Sequence, residues 1–196
     1  MSAKIDLIQI REKQLSTKVL YQLSTSAARI TSGSPTKLLV NDRADVAATA
    51  GADGVHLTTL SLPSEVIRNN FGAEFLIGVS THSLAEAAAA QGGGSDFVVF
   101  GPVFGTPAKQ QYGEPVGLTE LRKVTSELNP FPVLALGGVT MDKVADCIDA
   151  GAAGIAAIRM LNNRWQLMGI VNELRERMAS INLNAEITAD ESLPND

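Results

Sequence analysis

Cysteine is almost absent: Cys147 is the one thiol in 196 residues, which excludes an internal disulfide framework and favours a reducing compartment. Its place in the helical run Met141 to Ala150 reads as a packed, inert thiol rather than a nucleophile. Positive charge is also scarce. Lys and Arg number 16 against 21 acidic residues, a net charge of −5, so no bulk attraction draws the chain to nucleic acid or to an anionic membrane. Any anion must be held by a local cluster. No window approaches the roughly 18 apolar residues of a membrane span, and Met1 to Ile10 has neither the apolar run nor the cleavage pattern of a targeting signal. The expected location is the cytoplasm.

The apolar content, 45%, suffices for the core of one domain. Short β-branched runs alternate with helical patterns throughout, the signature of a parallel sheet built from βα units. Strands are expected at Ile5 to Ile10, Lys37 to Val40, Gly54 to Leu57, Phe75 to Val79, Phe97 to Phe100, Val133 to Leu136 and Gly154 to Ile158. Runs without polar alternation, such as Phe97-Val98-Val99-Phe100, suit strands covered on both faces. Ser83-Leu84-Ala85-Glu86 is a capping box, Pro63 falls near the first turn of a helix, and Thr140 can cap the helix after Gly138. Gly51-Ala52-Asp53-Gly54-Val55 and Gly151-Ala152-Ala153-Gly154-Ile155 each end a helix and enter a strand, like equivalent corners of one repeat. The fold class is therefore α/β, a TIM (β/α)8-type barrel. A closed barrel needs eight strands, so its first βα unit is expected to be lacking, through a start placed too far downstream or a barrel left open. Residues 1–181 form the expected single barrel domain, and the acidic stretch 182–196 has the composition of a disordered tail.

Barrel chemistry sits at the C-terminal strand ends and in the loops after them. Gln9, Arg11 and Lys13 alternate and would share one face of an extended segment, with a guanidinium fork and a point charge suited to a phosphate. A solvated strand end pairing with Glu12 is the plainer alternative. Asn41-Asp42-Arg43 offers a carboxylate for Mg²⁺, or else Asp42 caps the next helix. Ser80 could donate to a leaving phosphate, whereas His56 and His82 taken singly read as structural hydrogen-bonding groups. The loop Gly101 to Lys109 reads as a lid that places Lys109 over an anion. Gly137-Gly138 exposes backbone N–H groups where such barrels bind phosphate, and Arg159 adds charge beside them.

Gln9-x-Arg11-x-Lys13, Asn41-Asp42-Arg43, Gly51-Ala52-Asp53-Gly54-Val55-His56-Leu57, Gly78-Val79-Ser80-Thr81-His82, Gly101-Pro102-Val103-Phe104-x-Thr106-x-x-Lys109 and Gly137-Gly138 together resemble the thiamine phosphate synthase and thiazole tautomerase family. The resemblance implies a transferase that joins an aminopyrimidine-methyl diphosphate to a thiazole phosphate and releases diphosphate, with Mg²⁺ as cofactor. It implies contacts to the diphosphate or pyrimidine from Gln9, Arg11, Lys13, Asn41, Ser80 and Lys109, metal binding by Asp42, and the thiazole phosphate on Thr106 and Gly138. Ser80, Lys109 and Arg11 are then the catalytic set, and His56, Gly137 and Arg159 join the substrate-binding residues. Thr58-Thr59-Leu60-Ser61 replaces the family's Gly-Gln-Glu-Asp, so Ser61 stands where a second metal carboxylate is usual and the Mg²⁺ site is expected to be weakened. Ala108 and Arg159 stand where threonine and serine are common. A thiazole tautomerase is the alternative, with His56 or His82 substituting for the acid/base histidine whose turn here carries Pro102. A non-catalytic phosphate-ligand binder is the third. The expected partners are phosphorylated small molecules rather than nucleic acid or membrane, and a homo-oligomer is left open.

Overall fold

The computed structural model describes residues 4–105 and 114–190. Strands β1 (Leu7–Ile10), β2 (Lys37–Asn41), β3 (Gly54–Leu57), β4 (Leu76–Thr81), β5 (Phe97–Phe100), β6 (Val133–Leu136) and β7 (Gly154–Ala156) form one sheet in sequential order, every neighbouring pair parallel. Helices α1 (Thr17–Thr31), α2 (Ala44–Ala50), α3 (Ser64–Phe71), α4 (Leu84–Gly92), α5 (Gly117–Leu128), α6 (Val144–Asp149) and α7 (Leu167–Asp190) follow the strands in turn, giving a curled, open (β/α) barrel. Among the described residues β1 and β7 end the strand order unpaired. The expected strands all form, with small shifts at their ends: β1 starts at Leu7, β4 runs on to Thr81 and β7 stops at Ala156.

Alternation along the strands separates two environments. Leu38, Val40, Val55, Ile77, Val98 and Phe100 are fully enclosed on the side packed against the helices. The intervening residues Leu39, Phe97 and Val99 form a second cluster with Leu7, Leu76, Leu134, Leu136 and Ala156 on the concave side. By the same alternation Gln9, Asn41, His56 and Ser80 also point inward, nearer the C-terminal strand ends.

The two repeated corners are built alike. Gly51 and Gly151 both take positive φ (74° and 87°) after a helix, and the next residue closes back on it, Ala52 N–H to Ala47 O and Ala152 N–H to Cys147 O. Side chain at Gly151 would strike Thr125, its Cβ falling 2.6 Å from Oγ1. Cys147 is wholly buried in α6, and burial pushes its thiol up to about 11. At the N-terminal side of the sheet, Arg175 of α7 hydrogen-bonds the Lys4 carbonyl and meets Asp6 Oδ1 at 2.7 Å, which ties the last helix to the approach of β1. Helix α7 continues past Asn182 to Asp190. No described helix is long and apolar enough to cross a membrane.

Candidate active site

Because all seven strands run parallel, the segments following them share one rim, and the expected residues meet there in pairs drawn from neighbouring strands. Gln9 Nε2 donates to Asn41 Oδ1 at 3.0 Å, joining β1 to β2. His56 Nε2 lies 2.8 Å from Ser80 Oγ, joining β3 to β4. The His56 ring is 5% exposed and tilted against Phe97. Burial first, and then the nearby positive charge of Arg11, depress its pKa to about 4. His56 is therefore neutral near pH 7, and Arg11 sits within electrostatic reach of it.

Asp42 ends β2 in a left-handed conformation, φ 63°, a shape aspartate tolerates better than most side chains. Its N–H donates to the His56 carbonyl at 2.9 Å, which anchors the turn to β3. Helix α2 has no side-chain cap, and the exposed Asp42 carboxylate has no hydrogen-bond or ion-pair partner among the described residues, so the capping alternative fails. Its neighbour Arg43 turns to Asp45 (2.6 Å) and Thr17 (3.0 Å); that hydrogen bond holds the Asp45 carboxyl below its usual range. Arg43 thus braces α1 against α2.

Ser61 has a local task. Its Oγ accepts the Thr58 N–H at 2.8 Å and meets Thr58 Oγ1 at 3.1 Å, closing the loop after β3 on itself. No cluster of three His, Cys, Asp or Glu side chains suited to a metal occurs among the described residues. Asp42 is accordingly the one carboxylate offered by the expected metal site. His82 is structural as well: its Nδ1 hydrogen-bonds the Gly101 carbonyl, and its N–H donates to Glu86 of the capping box, where Ser83 Oγ receives the Glu86 N–H.

On the far side of the mouth the loop after β5 lies along the end of β6, Val103 N–H to Leu136 O (2.8 Å) and Phe104 N–H to Gly137 O (2.9 Å). A Cβ at Gly101 would fall 2.0 Å from Leu136 O, and one at Gly138, φ 62°, would fall 2.6 Å from Phe104 O. The glycine pair therefore has a packing reason beyond exposed N–H groups: it admits the loop. Lys143, which the sequence did not single out, sits over the Phe104 ring at 4.6 Å. Thr106, Ala108 and Lys109 lie outside the described residues, as does the expected lid after Gly105. Lys13 falls in a turn after β1, so the extended alternation that would align it with Gln9 and Arg11 ends before it; Arg159 is exposed beyond β7.

Ion pairs gather at the N-terminal side of the sheet. There, opposite the mouth, Lys37 pairs with Asp53, Arg68 with Asp96 and Arg175 with Asp6. At the C-terminal side Arg11, Lys13 and Arg159 have no ion-pair partner among the described residues. Arg43, paired with Asp45 just after β2, is an ion-paired cation of that rim, and Arg11, Lys13 and Arg159 stand exposed around it on a parallel (β/α) barrel.

The comparisons with known proteins agree with this class and narrow it. Residues 1–161 match the family described as thiamine monophosphate synthase, and the chain belongs to that family. A Geobacter sulfurreducens protein provisionally named thiamine-phosphate synthase is 44% identical over 158 residues, covering 81% of this chain and 74% of its own. The thiamine-phosphate synthase of Methanoculleus marisnigri is 38% identical, with 89% and 82% covered. Among solved structures, thiamine phosphate pyrophosphorylase from Pyrococcus furiosus superposes with a TM-score of 0.78 at 32% identity, over 90% of this chain and 84% of that one. A 3-hexulose-6-phosphate synthase, at 17% identity and a TM-score of 0.66, shares the fold.

Proposed function

We propose that the chain is a thiamine-phosphate synthase of the cytoplasm, joining an aminopyrimidine-methyl diphosphate to a thiazole phosphate. The observation that carries this reading is a set of groups on one rim: Arg11 after β1 and Asp42 after β2, neither with an ion-pair partner among the described residues, and the Ser80 hydroxyl of β4. In the reaction the bond between the pyrimidine methylene carbon and the diphosphate oxygen breaks, its electron pair leaving with diphosphate. The thiazole nitrogen then supplies the pair for the new C–N bond. What must be stabilised is the departing negative charge. Arg11 offers a guanidinium fork to it, Lys13 and Lys109 offer further charge, and Ser80 a hydroxyl proton. Gln9 and Asn41, bonded to each other, present amide edges for the pyrimidine, while Gly137, Gly138, Thr106 and Arg159 serve the thiazole phosphate across the mouth.

Mg²⁺ typically takes one or two carboxylates together with substrate phosphates and water. Asp42 supplies one such ligand, so the residues fit a metal that the diphosphate itself helps to hold. When bound, Mg²⁺ neutralises charge on the diphosphate oxygens. The tautomerase alternative has less support, since a histidine with a pKa of about 4 is a poor proton donor at neutral pH and the Nδ1 of His82 is engaged by Gly101.

The test is Mg²⁺-dependent diphosphate release from the two substrates by the purified chain, expected to be lost on Arg11→Met. Silence of the folded wild-type protein, or full activity of R11M, overturns the reading.

A further inference from the structure

Nothing in the family assignment requires the contact between His56 and Ser80, yet the contact constrains the chemistry of the mouth. A hydroxyl has one proton and two lone pairs. Diphosphate oxygens are acceptors only, so Ser80 can help a departing diphosphate only by giving it that one proton. Its neighbour at 2.8 Å, His56 Nε2, must then be a donor. With the proton on Nδ1 instead, Ser80 would spend its own proton on the ring and turn lone pairs toward the anion.

The surroundings favour the first arrangement. The ring is enclosed, 5% exposed, and held in the sheet: its carbonyl accepts the Asp42 N–H, and Phe97 packs beside it. Among the described residues no acceptor is hydrogen-bonded to Nδ1, and the charge nearest the ring is the positive Arg11. A proton on Nε2 meets the one hydrogen-bond partner the ring has among the described residues, whereas a proton on Nδ1 would be a buried donor with no acceptor, the costlier of the two orphans.

We infer that His56 is a positioning residue, whose Nε2–H donates to Ser80 Oγ and so aims the Ser80 hydroxyl proton into the barrel mouth for an anionic oxygen. It does its work through Ser80 without touching substrate. The inference deepens the reading of this rim as a site of diphosphate release and rests on it.

Three measurements test it, two of them independent of activity. In protein labelled with ¹⁵N-histidine, the imidazole shifts of His56, assigned by their loss in H56Q, should show Nε2 protonated and Nδ1 bare; a neutral Nδ1–H ring overturns the inference. In the synthase assay, S80A should slow diphosphate release about a hundredfold, as loss of one aimed donor does. H56L should slow it at least about tenfold in kcat with KM little changed, because the loss lies at the leaving group. The double variant should be no slower than S80A, and H56Q, whose amide N–H can reach Ser80, should recover most of the rate. Additive losses, or H56Q no better than H56L while folded, overturn the inference. Should the wild-type protein prove silent as a synthase, the diphosphate-release reading fails by itself; the ring shifts, and the affinity for inorganic diphosphate with Mg²⁺, still decide the role of His56. That affinity should fall equally in H56L and S80A and be restored in H56Q, and an unchanged affinity in H56L overturns it.

Discussion

Replacing Asp42 by asparagine separates the metal role proposed for this residue from any structural one. The Asp42 carboxylate is exposed and touches no hydrogen-bond partner among the described residues, and what anchors the turn is its backbone N–H on the His56 carbonyl. Asparagine keeps that N–H and tolerates φ 63° as aspartate does. D42N should therefore hold stability within about 0.5 kcal/mol, the range of an uninvolved surface site. For a chain of this size that is no more than about 2 °C in melting temperature. D42A must adopt the left-handed conformation without a polar side chain, at a cost of about 1 kcal/mol, and should melt about 2–4 °C lower. Diphosphate release should behave oppositely, with both variants down by roughly a hundredfold at limiting Mg²⁺, since the one carboxylate offered to the metal is gone. Thermal melts and an Mg²⁺ titration of the rate decide the matter. D42N within about threefold of wild type at limiting Mg²⁺ would remove Asp42 from the metal site. A melt several degrees lower would show that the carboxylate has a structural task.

Two further outcomes follow from packing and burial. Gly138→Ala combines a left-handed backbone, about 1–2 kcal/mol, with a Cβ 2.6 Å from Phe104 O and 2.9 Å from Gly105 O, so a loss of about 3 kcal/mol and roughly 6–12 °C of melting temperature is expected; an unchanged melt would show that the loop after β5 is not seated there. His56 binds its proton near pH 4 when folded and near 6.5 when unfolded, so the unfolded chain takes up more protons between those values. Stability from this group is complete above about pH 6.5 and falls as the pH drops toward 4, by up to about 3 kcal/mol. Denaturant unfolding at pH 7 and pH 4.5 should show a smaller acid loss in H56L than in wild type, and equal losses would refute the buried neutral ring.

The strand pattern was legible because it is a short-range property. Apolar β-branched runs bounded by glycine corners at Gly51 and Gly151 mark where chain direction must reverse, and a parallel sheet follows from the helices between them. The strand ends that moved did so where hydrogen-bonded partners decide: β4 reaches Thr81 because Val99 and Phe100 of β5 lie opposite Ser80 and Thr81. The rim could be chosen from sequence, since parallel strands put every following loop on one side. Side-chain partners could not. The contact of His56 with Ser80 depends on which strands are neighbours and on their register, and nothing in either residue's local sequence carries it. The same limit hid the task of Gly138, whose need for no side chain arises from Phe104 and Gly105 on another loop, and of Lys143 above the Phe104 ring. Ser61 stands in sequence where an acid is usual, and only the fold shows that its hydroxyl holds the Thr58 N–H of its own loop.

The two rims of the sheet divide labour through their carboxylates. Asp53 and Asp96 each stand one residue before a strand, β3 and β5, and each reaches back to the preceding strand, accepting the N–H of Leu38 at 2.8 Å and of Ile77 at 2.6 Å. Each also draws in a cation, Lys37 or Arg68, and Arg68 goes on to donate to the carbonyls of Gly72, Ala73, Phe75 and Gly94. At that rim charge is consumed in joining strand to strand and helix to sheet. At the other rim Arg43 joins α1 to α2 through Asp45 and Thr17, while strand is joined to strand by neutral groups, Gln9 to Asn41 and His56 to Ser80, together with backbone bonds such as Asp42 N–H to His56 O. Neutral strand joins leave Arg11 and the Asp42 carboxylate without a partner among the described residues, and a cation and a carboxylate left free on one rim are what the proposed metal-bound diphosphate would use and a solely structural rim would not.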